Sequence, residues 1–572
     1  MNDSIIPNLN RLVSKNTNNA KDFVDMKVRC LPNFQDVYGY LPDEQLISSL
    51  LSQRSLFDWL SYSSRIVAII QRSDTLDPKI DLFPKIFSID QQHRIKCRFK
   101  NESCKTEATS PWALSFLQQL AIYHNYPISD SEGFSSEKGI DLFGRAVLIS
   151  NGLITTNSHE KRNIDVISDI FHSMIRSEST DINHALLKFN LLFGIGSPFK
   201  STKLRRFADS RTEILGIDIN EYLLAGLYLY LAEAVKTPER LKQSWEHLSE
   251  KVEKECYHYI KPNCKSVKEL STELLNQKKE NLQSMILVRQ FPIIYIPGYG
   301  RFVLSIHFLL ESLIDSLRFK PIFVTSKNDK LSGQKRKSVI QQLNGEYGEV
   351  FEEYAHKLLK ELFIVEVKKI PENRFPGCVD FIAISQNNVF LIEVKSKRSS
   401  IKSIYEADSV ERWKGIFQDK LSIASKQFEK TINMLLLGKF SNLIPSIDWT
   451  TSSILPILLC EEFITPMPGS ESELLLPFYD KFKHFSGKTK VMKPRILNIS
   501  NTESLLGLPY KHRIQLTSFL FHWANDRFFS SGSFLDFLYQ KKIFCSVTDS
   551  KLFQSSKEAV LEKLKVFTAR IE

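Results

Sequence analysis

Between residues 45 and 286 the apolar positions recur with a helical period. EQLISSLLSQRSLFDWLSYSSRIVAIIQ (44–71), INHALLKFNLLFGI (182–195), NEYLLAGLYLYLAEAV (220–235) and VKELSTELLNQKKENLQSMI (267–286) carry the clearest stripes. Gly and Pro punctuate the gaps, and no fixed-period repeat marks a solenoid. The pattern predicts an irregular α-helical region. It changes at FPIIYIPGYGRFVLSI (291–306), where two β-rich runs flank Pro-Gly-Tyr-Gly and predict a hairpin. The helix HFLLESLIDSL follows. TSKNDKLSGQKRKS (325–338) is polar, basic and aperiodic, which predicts a linker or loop.

Past that stretch, GEYGEVFEEYAHKLLKELF reads as a helix running into the strand IVEVKKI. Two more strands follow, VDFIAIS (379–385) and VFLIEVKS (389–396), joined by Gln-Asn-Asn. A polar helix over about 406–437 leads to the strand ILPILLC (454–460). The order is αβββαβ, a short antiparallel meander and then a crossover helix to a further strand. The expected fold class is α+β in four parts: a helical region over 1–324 ending in the hairpin and helix, a basic linker over 325–339, an α/β core over 340–464, and a helical C-terminal extension over 465–572.

Composition narrows the class only a little. With 572 residues, 42% hydrophobic and 25% charged, the chain is expected to be soluble with two or three domains. A net charge of +11 leans toward an anionic partner, nucleic acid being the simplest. The eight cysteines form no CxxC pair, so neither a disulfide framework nor a paired zinc knuckle is expected. His93, Cys97 and Cys104, or Cys256, His258 and Cys264, are too loosely spaced to argue for zinc. The first residues carry no secretory pattern, and the most apolar helical run, Tyr222 to Ala232, is flanked by Glu221 and Glu233. A cytoplasmic protein with no membrane span is expected.

The candidate chemistry lies in a repeated tripeptide. Glu-Val-Lys stands at 366–368 and again at 393–395. Period two puts Glu393 and Lys395 on one face of a strand. Asp380 opens the strand before, and with a turn of about three residues it falls opposite the Glu393–Lys395 stretch in an antiparallel hairpin. These three charges can converge. The first copy has no carboxylate in a comparable preceding strand and is expected to be structural. On the helix before it, Glu352 shares the buried-side stripe of Phe351, Ala355, Leu358, Leu359 and Leu362. A carboxylate there needs a partner, and a metal ion would supply one. Glu349 and Glu353 are expected further round, in solvent.

Gly348, Phe351 and Glu352 (G-x-x-F-E), Gly377, Asp380 and Phe381 (G-x-x-D-F), and Glu393-Val394-Lys395 together resemble the PD-(D/E)xK nuclease superfamily, the restriction-endonuclease-like fold. The likeness covers roughly residues 340–460, and its core order is the αβββαβ read above. Pro376 stands four residues before Asp380 and not adjacent to it, a departure from the pattern. The resemblance implies that Glu352, Asp380, Glu393 and the Val394 carbonyl hold Mg²⁺ or Mn²⁺. It also implies that Lys395 acts on the attacking water and Gln427 contacts the phosphate or orders the site. Nucleic acid is the implied substrate, DNA before RNA, with Lys335, Arg336, Lys337, Lys397 and Arg398 along its path and Arg412-Trp413-Lys414 beyond.

A large companion region beside such a nuclease resembles the make-up of bacterial restriction and anti-phage defence proteins. No helicase or ATPase motif occurs, so an energy-using step would need a partner subunit encoded nearby. A homo-oligomer is also expected. An RNase of the same fold, a repair, recombination or transposition nuclease, and a silent nucleic-acid-binding scaffold are the alternatives. Phe485-Ser-Gly-Lys-Thr489 lacks the earlier glycine of a phosphate loop, and Gly298-Tyr-Gly300 lacks the third glycine of a dinucleotide fingerprint.

Overall fold

The computed structural model describes residues 29–72, 82–99, 105–106, 108–124, 133–155, 181–196, 201–234, 245–277, 285–385, 388–396, 410–444, 447–448, 452–461, 485, 489–525 and 534–571. It is a mixed α and β protein, and the described residues of its N-terminal half are mostly helical. Three of these helices are α1 (Ile182–Leu191), α2 (Thr202–Leu215) and α3 (Ile219–Ala234). Ser201 caps α2 by accepting from the Leu204 N–H, and Gly216 ends it with φ 63°. The expected hairpin is present as β1 (Ile293–Ile296) and β2 (Gly300–Val303), and Cys264–Ser266 lies parallel to β1.

Next comes an antiparallel helix pair, α4 (Ile306–Ser326) and α5 (Gly333–Leu362). This corrects the linker expected over 325–339. Ser332 accepts from the Lys335 N–H and starts α5, so Lys335, Arg336 and Lys337 lie in the first turns of a 30-residue helix. Those turns are mostly exposed, so they carry no apolar period, yet Gln, Lys and Arg are all good helix formers.

The main sheet follows. Its strands are β3 (Val367–Lys369), β4 (Phe381–Ser385), β5 (Asn388–Lys395) and, after α6 (Val410–Leu436), β6 (Ser453–Cys460). β3, β4 and β5 are antiparallel neighbours, and β6 joins β5 in parallel across the α6 crossover. The order αβββαβ is therefore the observed one. The described residues past 465 add strands as well as helices to the helical extension expected there. β7 (Lys490–Val491) and β8 (Arg495–Asn498) both pair in parallel with β6. β8 is only four residues long and three of them are buried, so it lacks the alternation that marks a half-exposed strand.

Period two sorts the sheet onto two cores. Phe381, Ala383, Phe390, Ile392, Leu455, Ile457 and Leu459 face α5 and join a core that runs from Phe34 to Ile571. Ile382, Val389, Leu391, Ile454 and Leu458 face α6 and pack with Ala424, Phe428 and Ile432. The larger core crosses both expected boundaries: α4 packs on α5, and the last helix, α8 (Lys551–Ile571), packs on α1 and α3. Among the described residues no single helix is long and apolar enough to cross a membrane.

Candidate functional site

A tight turn aims the first carboxylate. The Cys378 N–H donates to the Phe375 carbonyl at 3.2 Å, with Pro376 second and Gly377 third at φ 71°. That is the residue pattern of a type II turn, whose third position needs the left-handed conformation. α6 secures it: Lys430 donates to the Pro376 carbonyl at 2.5 Å, and the Val379 N–H donates to Thr431 Oγ1 at 3.0 Å. Asp380 then continues the pairing one residue beyond β4, its carbonyl accepting from the Ile370 N–H at 2.9 Å.

The β4–β5 register pairs Phe381 with Ile392, so Asp380 stands opposite Glu393. The Val394 N–H donates to Asp380 Oδ2 at 2.7 Å. Glu393 and Lys395 both face α6, where the Lys395 ammonium donates to Glu393 Oε1 and, at 2.9 Å, to Gln427 Oε1. The Gln427 amide donates onward to the Cys378 carbonyl at 3.3 Å. Asp380, Val394, Glu393, Lys395 and Gln427 are thus brought together, and Gln427 meets the lysine directly.

The electrostatics of this cluster are unusual. Glu393 is 1% exposed, and its Oε2 is buried with no hydrogen-bond partner. Burial, then repulsion by Glu393 and Glu352, holds the Asp380 carboxyl well above the usual carboxylate range, against the pull of the Val394 N–H and Lys395. Burial also raises Glu393, although Lys395 and Gln427 draw it down. A half-buried and a buried carboxylate that repel each other, the second with an unsatisfied oxygen, suit a hard divalent cation with oxygen ligands. Among the described residues no three His, Cys, Asp or Glu side chains already form a metal-ligand group.

Glu352 has a different partner from the expected metal. It is half-buried on α5 and bonds the Lys369 ammonium at 2.5 Å. Lys369 ends β3, in register with Phe381, so the strand carrying the first Glu-Val-Lys copy does touch the site, one residue past the tripeptide. Glu366 itself lies outside the strand with its side chain 75% exposed, and pairs with Lys368 at 3.2 Å. Glu349 and Glu353 are half-buried and engaged, by Arg206 and by the Ser201 hydroxyl at 2.6 Å.

The basic run is not beside the carboxylates. From Lys335 to Glu352 the helix rises roughly 25 Å, and Arg336 is bound locally, to the Ser326 carbonyl at 3.1 Å and Asp329 at 3.9 Å. Lys397 and Arg398 lie outside the described residues, as do the side chains of Arg412, Trp413 and Lys414. Of the zinc candidates, Cys97 Sγ lies 3.8 Å from the ring nitrogens of His93, and Cys104 lies outside the described residues. Burial raises both the Cys256 and Cys264 thiols, the latter to about 11.

Sequence reasoning missed the residues that tie this site to the N-terminal half. Arg318 on α4 donates to Glu461 and, at 2.5 Å, to the Ser396 carbonyl, while the Tyr347 hydroxyl donates to Glu461 at 2.5 Å. The Glu461 N–H in turn donates to the Lys395 carbonyl at 3.1 Å. A guanidinium from 78 residues upstream therefore holds the backbone just after the site lysine. A second buried knot joins Glu503, on α7 (Ile499–Leu505), to Tyr354 of α5 and to His184 and Lys188 of α1. No local pattern announces such pairs. No protein-family model, curated protein or solved structure matches the chain.

Proposed function

We propose that this protein is a divalent-metal-dependent nuclease that hydrolyses phosphodiester bonds in DNA. The observation that carries this reading is the half-buried Asp380 opposite the buried Glu393, with one Glu393 oxygen unsatisfied and the Lys395 ammonium bonded to the other. Asp380 and Glu393, with the Val394 carbonyl, would hold Mg²⁺ or Mn²⁺. Bound there, the ion supplies a polarised phosphodiester and a water acidic enough to act as nucleophile at neutral pH. Glu393 and Gln427 fix the Lys395 ammonium between them. From that position its N–H groups orient the attacking water and offset charge that builds on the phosphoryl oxygens. Gln427 acts through this lysine and is a positioning residue. Glu352, once exchanged from Lys369, would serve the ion directly or through water.

The restriction or anti-phage defence setting, a helicase or ATPase partner, and homo-oligomer assembly belong to the same proposal and rest on resemblance of architecture. Cleavage of end-labelled double-stranded DNA, single-stranded DNA and RNA, each with Mg²⁺, Mn²⁺ or EDTA, tests the activity. DNA cleavage that EDTA stops is expected. Cleavage of RNA alone would reassign the substrate, and no cleavage of any polymer would favour a silent binding scaffold.

A further inference from the structure

The hairpin of α4 and α5 ends in a cationic arm with a fixed base. Pro321 has no N–H for the Leu317 carbonyl; Arg211 of α2 donates to that carbonyl at 3.3 Å and to the Leu343 carbonyl of α5 at 2.8 Å. Beyond this clamp no residue from 326 to 342 is buried, so the arm stands clear of the shared core. Five cations lie in that span, Lys327, Lys330, Lys335, Arg336 and Lys337, against one carboxylate, Asp329. Two of the five are occupied locally: Arg336 by the Ser326 carbonyl and Asp329, and Lys327 over the Phe323 ring at 4.2 Å. Lys330, Lys335 and Lys337 are exposed, and no carboxylate among the described residues pairs with them. Like charges gathered on one surface repel, so the fold itself gains nothing from holding them there.

We infer that this arm is a second grip on DNA, remote from the proposed cleavage site, and that Lys330, Lys335 and Lys337 hold the phosphate backbone of a duplex there. The inference rests on the nuclease reading above and adds where the substrate is held. α5 runs unbroken from the arm to Glu352, so the grip and the carboxylates share one element, roughly 25 Å apart along its axis. Each strand of a duplex carries a phosphate about every 3.4 Å, so a duplex that touches both extends at least about seven base pairs from the cut. A polyanion of that reach fits the spacing. A lipid surface would instead take Phe319, Phe323 and Val324, which are exposed on α4, whereas the free ammonium groups lie on the connection and on α5.

The test uses the full-length protein, a fluorescein-labelled DNA duplex of about 25 base pairs, and Ca²⁺ in place of Mg²⁺ so that binding is read without turnover. Anisotropy titrations across a salt series give the slope of log affinity against log salt. The triple variant Lys330→Gln/Lys335→Gln/Lys337→Gln should lower that slope by about two to three and weaken binding roughly tenfold or more at 0.1 M salt, while arginine at the same three positions retains both. Lys551→Gln/Lys563→Gln/Lys565→Gln removes the same charge from exposed positions of α8 and should match the parent. With Mg²⁺ the arm variant should cut with a raised KM and near-parental kcat, because the arm holds substrate equally before and during the reaction. An arm variant with the parental slope, or a control variant that loses as much, would overturn the grip and leave the nuclease reading intact if the parent cuts. Binding to phosphatidylglycerol vesicles that the arm variant loses, with its DNA slope unchanged, would overturn the grip in favour of a lipid surface. The expected fall in slope without any cleavage by the parent would keep the grip and overturn the nuclease reading.

Discussion

Asp380→Asn separates a residue kept for folding from one kept for chemistry. The substitution keeps the shape and leaves an amide oxygen to accept the Val394 N–H bond now made at 2.7 Å, so no hydrogen bond worth about 1 kcal/mol need be lost. What it removes is a half-buried negative charge that burial, Glu393 and Glu352 all disfavour. Relieving an unfavourable charge is a stabilising change of ordinary size, so the metal-free variant should be more stable than the parent at pH 8, by on the order of 1 kcal/mol. Millimolar Mn²⁺ should reverse the order, since only the parent retains the full ligand pair and gains from linkage. Urea denaturation followed by circular dichroism, with EDTA and then with Mn²⁺, measures both differences. A metal-free Asp380→Asn protein less stable than the parent would refute the reasoning, because it would mean that the fold is satisfied by the charge.

Three other expectations follow from neighbouring geometry. Lys395→Met should lose DNA cleavage by orders of magnitude while binding Mn²⁺ at least as tightly as the parent in calorimetry; normal cleavage would reduce the ammonium to a counter-ion for Glu393. Arg318→Met strands the buried Glu461, whose side chain is 3% exposed, and should cost about 3–5 kcal/mol in urea denaturation; Arg318→Lys should not restore it, since the guanidinium serves both Glu461 and the Ser396 carbonyl. His307, buried against Trp112 and Phe308, is held down at about 3 by burial and by Arg289. The unfolded chain takes up the proton that the fold refuses, so this contribution is present above about pH 6.5 and is lost as pH falls toward 3. His307→Phe should flatten the decline of the urea midpoint between pH 6.5 and 4, and an unchanged decline would place the acid sensitivity elsewhere.

The meeting of Asp380, Glu393 and Lys395 was legible because it needs only period two and a short hairpin, both local properties of β4 and β5. The first Glu-Val-Lys copy lacks a carboxylate on a preceding strand, a difference legible in the sequence, and its Glu366 stands 75% exposed beside Lys368. The start of α5 was not legible, since its charged, exposed turns carry no apolar rhythm and its capping serine looks like any loop residue. β8 escaped because a short parallel strand gets its partner from β6 and not from its own sequence. The position of Glu352 on the apolar stripe of α5 is legible in the sequence, but its pairing with Lys369 depends on where β3 passes α5. Arg318 lies beyond any local inference: its role exists only once α4 has packed beside the sheet.

The proposed nuclease activity depends on Asp380 and Glu393 holding a divalent ion. The most direct measurement is Mg²⁺-dependent cleavage of a labelled DNA duplex by the parent, Asp380→Ala, Glu393→Ala and the double variant Glu366→Ala/Lys368→Ala, each shown folded by circular dichroism. Cleavage by the parent and the double variant, within a few-fold of each other, with none by the two single variants, is the expected result. Near-parental cleavage by Asp380→Ala or Glu393→Ala, or loss of cleavage in Glu366→Ala/Lys368→Ala alone, would contradict the account and place the chemistry elsewhere in the chain.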